Sequence, residues 1–324
     1  MAGKNQKPAA VCALALLCCA LWGSAFPCIK LGYAWLDIKG TGSQILFAGY
    51  RFFLSGIFTF VIGCAVERKF LTMKRSSVWH IFRQGLLQTT VQYVCFYIGL
   101  AYATGAKSSI INASQGFVAI IASHFMLKSE KMTWKKTIGC ILGLAGVVTV
   151  NLSPGAWGSG FSMKGEGMIL ICTIVYGISM VLLKMISDEE SPMTITAYQT
   201  LMGGALLILI GIVMGGHVGG FTAKSAALLI YMALLSTATF SIWSILMKYN
   251  PVGKVAVSTF PIPIFVVALS GLLLGEQVLE VKNLIARALV SAGIIIVNRK
   301  EQNVQGVRPL AHFMIFYIPL YTHP

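Results

Sequence analysis

Ten apolar runs, most of them close to twenty residues long, limit what this chain can fold into. They fall at roughly 9–31, 44–66, 79–103, 107–127, 135–152, 165–186, 194–214, 225–247, 254–275 and 282–298. An α-helix needs roughly 20 apolar residues to cross the hydrocarbon core of a bilayer. Inside that core a backbone satisfies its own polar groups only as a helix or a closed barrel. The expected fold is therefore all-α and integral to the membrane, with ten transmembrane helices. Composition points the same way. Only 11% of the 324 residues are charged and mean hydropathy is +0.79, whereas soluble domains carry about 25% charged residues.

The formal net charge of +15 would suit a nucleic-acid binder, but its distribution argues otherwise. Arg68, Lys69, Lys74 and Arg75 sit in the second loop, and Lys128, Lys131, Lys135 and Lys136 around the fourth. The loops between hold little beyond Lys39 and Lys107. Such alternation is the positive-inside pattern of membrane loops. It predicts a multi-pass protein of the cell membrane, no nucleic-acid partner, and both termini in the cytoplasm, with Arg299 and Lys300 after the last helix. Lys4 and Lys7 before the first run mimic a signal peptide. That run is longer than a typical signal core and has no clean cleavage site, so it reads as the first helix.

An internal repeat sets the architecture. Trp22-Gly23-Ser24 leads to Lys30 as Tyr176-Gly177-Ile178-Ser179 leads to Lys184. Gly49-Tyr50-Arg51-Phe52 matches Ala197-Tyr198-Gln199-Thr200. Tyr102 pairs with Tyr249, Lys107 with Lys254, Glu130 with Glu276, Gly146 with Gly293 and Asn151 with Asn298, each about 150 residues on. Residues 1–152 form a first unit of five helices, 153–300 a second, and 301–324 a tail for which the sequence gives no functional reading. An odd number of spans per unit reverses the second unit in the bilayer. The result is an inverted-topology repeat, which places a substrate site near the midplane at the repeat interface.

At these residues the chain resembles the drug/metabolite transporter superfamily, in particular its EamA-type ten-helix transporters. The resemblance rests on WGSAFPCIK at 22–30, Arg51 in the second helix, PIFVVALSGLLLGE from Pro263 to Glu276, and Gly293 with a basic end to the tenth helix. It implies a carrier of amino acids, sugars, other metabolites or drugs, often an exporter. It also implies a central cavity surrounded by helices one, three, four, six, eight and nine.

Polar residues on those helices are the candidate substrate-binding set. Gln88 and Gln92 are four apart and share a helical face, with Tyr93 and Tyr97 beside them. Asn112 and Gln115, three apart, converge on the fourth helix. Such amides bind a polar metabolite or join helices to one another. Trp22 and Tyr176 occupy equivalent places in the two halves and serve either as a stacking gate or as packing. On the ninth helix Thr259 is a candidate, as is Pro263, which with Pro261 interrupts the helix and frees carbonyls. Arg51, inside an apolar run, is either functional or snorkels to the interface. His124 at the end of the fourth helix either titrates or makes a local hydrogen bond. Gly139 and Gly143 form a GxxxG that serves an internal contact or a homodimer.

Several chemistries lack their residues. The eight cysteines lie in apolar runs with no CxxC and no Cys/His cluster, so no metal or redox site is expected. There is no phosphate-binding loop, HExxH or serine elbow, so neither a cofactor nor enzymatic activity is expected. No Asp or Glu sits deep in a span, which weakens a proton-antiport mechanism. The expected function is alternating-access transport of a small polar metabolite, an amino acid or related compound, in the export direction. The alternative is a multidrug efflux carrier for lipophilic or cationic compounds.

Overall fold

The computed structural model describes residues 8–151, 161–259, 261–274 and 288. Among these residues every regular element is helical. In chain order they are α1 (Pro8–Trp35), α2 (Thr41–Glu67), α3 (Val78–Gly85), α4 (Gln92–Tyr102), α5 (Gly105–Ala113), α6 (Gln115–Met126), α7 (Trp134–Asn151), α8 (Met168–Ile186), α9 (Pro192–Val213), α10 (Ala223–Tyr249), α11 (Val252–Val257) and α12 (Ile262–Leu274). The expected tenth helix at 282–298 and the tail 301–324 lie outside the described residues.

Among the described residues six stretches are long and apolar enough to cross a membrane: Ala10–Trp35, Thr41–Glu67, Lys107–Met126, Met163–Ile186, Pro192–Val213 and Ala223–Tyr249. The expected third span is not among them. It is divided into α3, a wide π turn at Leu86–Val91, and α4, and it carries His80, Arg83, Gln84, Gln88 and Gln92. Single π turns inside helices are frequent at functional sites.

Local sequence explains several boundaries. Ser191 caps α9 by accepting the Thr194 N–H at 3.1 Å, and Pro192 fills the first turn, where no donor is needed. Thr222 and Ser225 form a reciprocal capping box at the start of α10. The expected fourth and ninth spans are each broken in the middle. Between α11 and α12 the break carries Pro261, which cannot donate to the helix. Between α5 and α6 it falls at Ser114 without any proline. There the Ser114 hydroxyl and its backbone N–H both donate to the Ile111 carbonyl, at 2.7 and 3.0 Å.

Hydrogen bonds gather the connections at two opposite ends. At one end Lys74 N donates to Glu190 Oε1 at 2.7 Å and Lys248 Nζ to the Glu190 carbonyl at 3.0 Å. At the same end Glu130 accepts the Val252 N–H at 2.7 Å and the Gly253 N–H at 3.1 Å. At the other end His217 N donates to Ser43 Oγ at 3.0 Å, and Lys107 meets Glu166 at 3.3 Å. Glu130 thus serves as an anionic cap on the α11 N-terminus. Glu130→Ala is expected to cost about 1 kcal/mol, read as a lower unfolding temperature in detergent; an unchanged temperature would remove this role.

The most extensive helix contact joins α2 to α9. Gly42 approaches Gly216, Gly49 approaches Ile208, Gly56 approaches Leu201 and Gly63 approaches Met193. Residue numbers rise along α2 as they fall on its partner, so the two helices are antiparallel. Glycine at every seventh position of α2 was the sequence signal for this seam, and it was not read.

Candidate functional site

Where α1, α2, α4, α8 and the two broken helices meet, they enclose a cavity of about 40 Å³. A buried water occupies about 10–15 Å³ on this measure, so the cavity has room for a few waters. Its lining includes Trp22, Gln92, Tyr93, Asn112, Gln115 and Tyr176. Six of the nine candidate residues therefore line one cavity. Each polar member has a local reason for being there. Asn112 and Gln115 flank the break at Ser114, where the chain turns its side chains inward. Gln92 is the first residue of α4, just past the π turn.

The other three candidates lie elsewhere. Gln88 falls inside the π turn, whose wider winding ends the four-residue stagger with Gln92. Its Oε1 accepts from Gln84 Nε2 at 2.6 Å, and that Gln84 nitrogen also donates to the Ser179 carbonyl at 3.1 Å. Thr259 is buried and donates to the Ala256 carbonyl at 2.7 Å, closing the end of α11. Pro263 is buried in the first turn of α12, while its neighbour Ile262 reaches the cavity.

The two equivalent aromatics meet each other. Trp22 and Tyr176 lie edge to face with ring centroids 6.5 Å apart and planes at 88°. Trp22 also touches Trp243 at 4.8 Å and Phe240 at 6.2 Å, both on α10. Phe26 and Phe96 form a second edge-to-face pair at 5.0 Å on the cavity wall. Such pairs contribute about 0.5–1.5 kcal/mol each beyond the area they bury. The wall residues Ala25, Phe26, Phe96 and Ile262 were missed from sequence, because nothing separates them from other apolar residues in apolar runs.

Arg51 also lines the cavity and is 1% exposed. Snorkelling is thereby excluded: the residue lies ten positions into α2, about 15 Å along its axis, and its head turns inward. Its Nε donates to Ser236 Oγ at 2.9 Å and its Nη1 to the Tyr97 hydroxyl at 3.2 Å. The guanidinium carbon stands 4.9 Å from the Phe52 ring centroid and 5.9 Å from that of Tyr93. Among the described residues three polar atoms of the lining have no hydrogen-bond partner: Gln92 Oε1, Asn112 Oδ1 and the Tyr176 hydroxyl. Orphans of this kind are costly in a buried site and invite water or a ligand. His124, by contrast, accepts the Met132 N–H at 3.0 Å, which is a local loop contact.

Membrane-crossing helices around an internal cavity of mixed polar and aromatic lining define a multi-pass membrane protein. The model of the EamA-like transporter family matches residues 9–152 and again 163–299. The chain belongs to the EamA-like transporter family, and membrane transport is its general activity. Its relatives include YetK, an uncharacterized transporter of Bacillus subtilis (strain 168), 25% identical over 263 residues and 79% of each chain. They also include YoaV of the same organism, likewise an uncharacterized transporter, 23% identical over 81% of this chain and 91% of YoaV. A solved crystal structure shares the fold, with a TM-score of 0.69 at 17% identity over 92% of this chain and 100% of that one.

Proposed function

We propose that this chain is a ten-helix, two-repeat carrier that moves a small polar metabolite, an amino acid or related compound, by alternating access across the cell membrane. The observation that carries the reading is the cavity, lined by the polar side chains of Gln92, Asn112 and Gln115 and by aromatic rings where two broken helices meet. Discontinuous helices that present polar groups at mid-depth are how carriers of this kind hold a substrate.

Equivalent positions in the two halves support the repeat. Gly23 on α1 lies against Phe265 and Val266 of α12, and Gly177 on α8 lies against Val118 and Ala119 of α6. The two breaks fall at corresponding places, and α2 and α9, the matching second helices, run antiparallel. Residues 1–152 and 153–300 are then two inverted units that exchange conformations. The basic loops around Lys74 and Lys131 share an end with Lys248, which supports that end and both termini being cytoplasmic. Export is the direction that the resemblance implies.

The test is transport by the purified protein in liposomes against a panel of amino acids, sugars and lipophilic cations. Saturable movement of an amino acid is expected, reduced about tenfold or more by Gln92→Ala or Gln115→Ala through loss of a buried hydrogen bond. The direction of accumulation is read in the same assay. Transport of many unrelated lipophilic cations would move the assignment to multidrug efflux, a reading that the aromatic walls alone would fit. Normal amino-acid transport by both variants would sink the site assignment.

A further inference from the structure

The buried cation in the cavity wall is left over once the transport reading is made. Arg51 is surrounded by rings and hydroxyls, and no carboxylate of the described residues forms an ion pair with it. Ser236, its first partner, already donates to the Met232 carbonyl at 3.0 Å. Tyr97 meets the guanidinium with its hydroxyl, and its carbonyl accepts from Tyr33 at 2.9 Å. These contacts hold the head group in place but do not neutralise it. A charge inside a membrane span is expensive and usually finds a partner of opposite sign.

Packing symmetry does not demand that charge. The equivalent position in the second half is Gln199, equally buried and uncharged. A neutral amide therefore suffices in the matching helix, and the guanidinium is peculiar to the first half, the one whose residue lines the cavity. Its chemistry is that of a fork of N–H donors matched to a planar anion. No second Lys or Arg appears among the lining residues, so the site suits a monoanion rather than a phosphate dianion. The unpartnered Gln92 Oε1 and Asn112 Oδ1 are acceptors, so they suit a donor group such as an ammonium or hydroxyl on the same ligand.

We propose that Arg51 is the specificity-determining residue of this carrier: it pairs with a substrate carboxylate, while Gln92 and Asn112 receive a donor group of the same molecule. The proposal rests on the transport reading above. It makes the substrate an amino or hydroxy acid and makes cationic compounds poor substrates, because a buried positive charge repels them in a medium of low dielectric.

The experiment compares carboxylic acids with their amides in the same liposomes. L-threonine and L-phenylalanine are each paired with the amide, which lacks the carboxylate, and with the N-acetyl acid, which lacks the ammonium. In the wild-type protein the acid is expected to move at least about tenfold faster than its amide, and the N-acetyl acid to inhibit. Arg51→Gln is expected to lower acid transport about 10- to 100-fold and the slow amide rate far less, so that the ratio collapses. Arg51→Lys is expected to keep part of the preference. A purely structural arginine would lower both rates together and leave the ratio intact, which would overturn the proposal. Equal transport of acid and amide by the wild type would overturn it too, while the metabolite-carrier reading stands; transport of lipophilic cations only would overturn both. If no compound of either panel moves, the metabolite reading falls and takes this proposal with it. Should Arg51→Gln fail to fold, the wild-type ratio and the N-acetyl inhibition decide alone.

Discussion

Gly204→Leu is expected to leave little folded protein. In lipid no hydrophobic force pulls two helices together, so association relies on close van der Waals packing and backbone approach. The α2–α9 seam is built on that approach. A Cβ at Gly204 would stand 2.4 Å from the Phe53 nitrogen, one at Gly56 2.7 Å from the Leu201 nitrogen, and one at Gly211 2.7 Å from the Leu46 nitrogen. Each obstacle is backbone inside a helix, which cannot swing aside as a side chain can. Even alanine must force the helices apart, at about 1–3 kcal/mol, and leucine adds three more carbons at the same point. The expected result is a lower unfolding temperature for Gly204→Ala and aggregation of Gly204→Leu, read by thermal unfolding and size-exclusion chromatography in detergent. Gly40→Ala is the control. Nothing lies within 4 Å of a Cβ there, so the change is limited to the poorer N-cap that alanine makes for α2, at most about 1 kcal/mol. A Gly204→Leu protein as stable as that control would mean the two helices do not touch in this way.

Gly23→Leu and Gly177→Leu are expected to impair transport together. A Cβ at Gly23 would lie 2.5 Å from Phe265 Cβ, and one at Gly177 would lie 2.6 Å from Val118 Cβ. Each glycine adjoins an aromatic of the cavity, Trp22 or Tyr176. A side chain at either place wedges the broken partner helix away from the cavity wall. A wedge costing about 1–3 kcal/mol in the closed arrangement corresponds to roughly 5- to 150-fold in its population. Initial rates in liposomes, normalised to inserted protein, give the comparison. Similar losses at both positions would fit two halves that carry the same working contact. A loss at one with none at the other would break that equivalence.

Much of this was legible along the chain, for reasons that differ from residue to residue. The helices expected at 9–31 and 194–214 follow from apolar length, and the structure has them at Pro8–Trp35 and Pro192–Val213. Trp22 and Tyr176 were matched by their spacing to Lys30 and Lys184, and the fold brings the two rings to 6.5 Å. Gln92, Asn112 and Gln115 stood out because amides are rare in apolar runs. Gln88 stood out equally, but the π turn that removes it from the cavity has no residue signature. Phe26 and Phe96 had no signal of their own, since a cavity wall in a membrane protein uses the same residue types as a lipid-facing surface.

The sequence by itself determined that the protein lives in a membrane, where its long unbroken helices lie, and to which family it belongs. These are properties of local composition and order, because lipid imposes the same demand on every segment of about twenty residues. The tertiary structure decided the rest. It broke α5 from α6 at Ser114 without a proline, joined α2 to α9 through their glycines, and turned Arg51 inward. Each of these depends on what another helix presents at a given depth, a relation between residues far apart in the chain; even the glycine repeat of α2 marks a close-packing face without naming its partner.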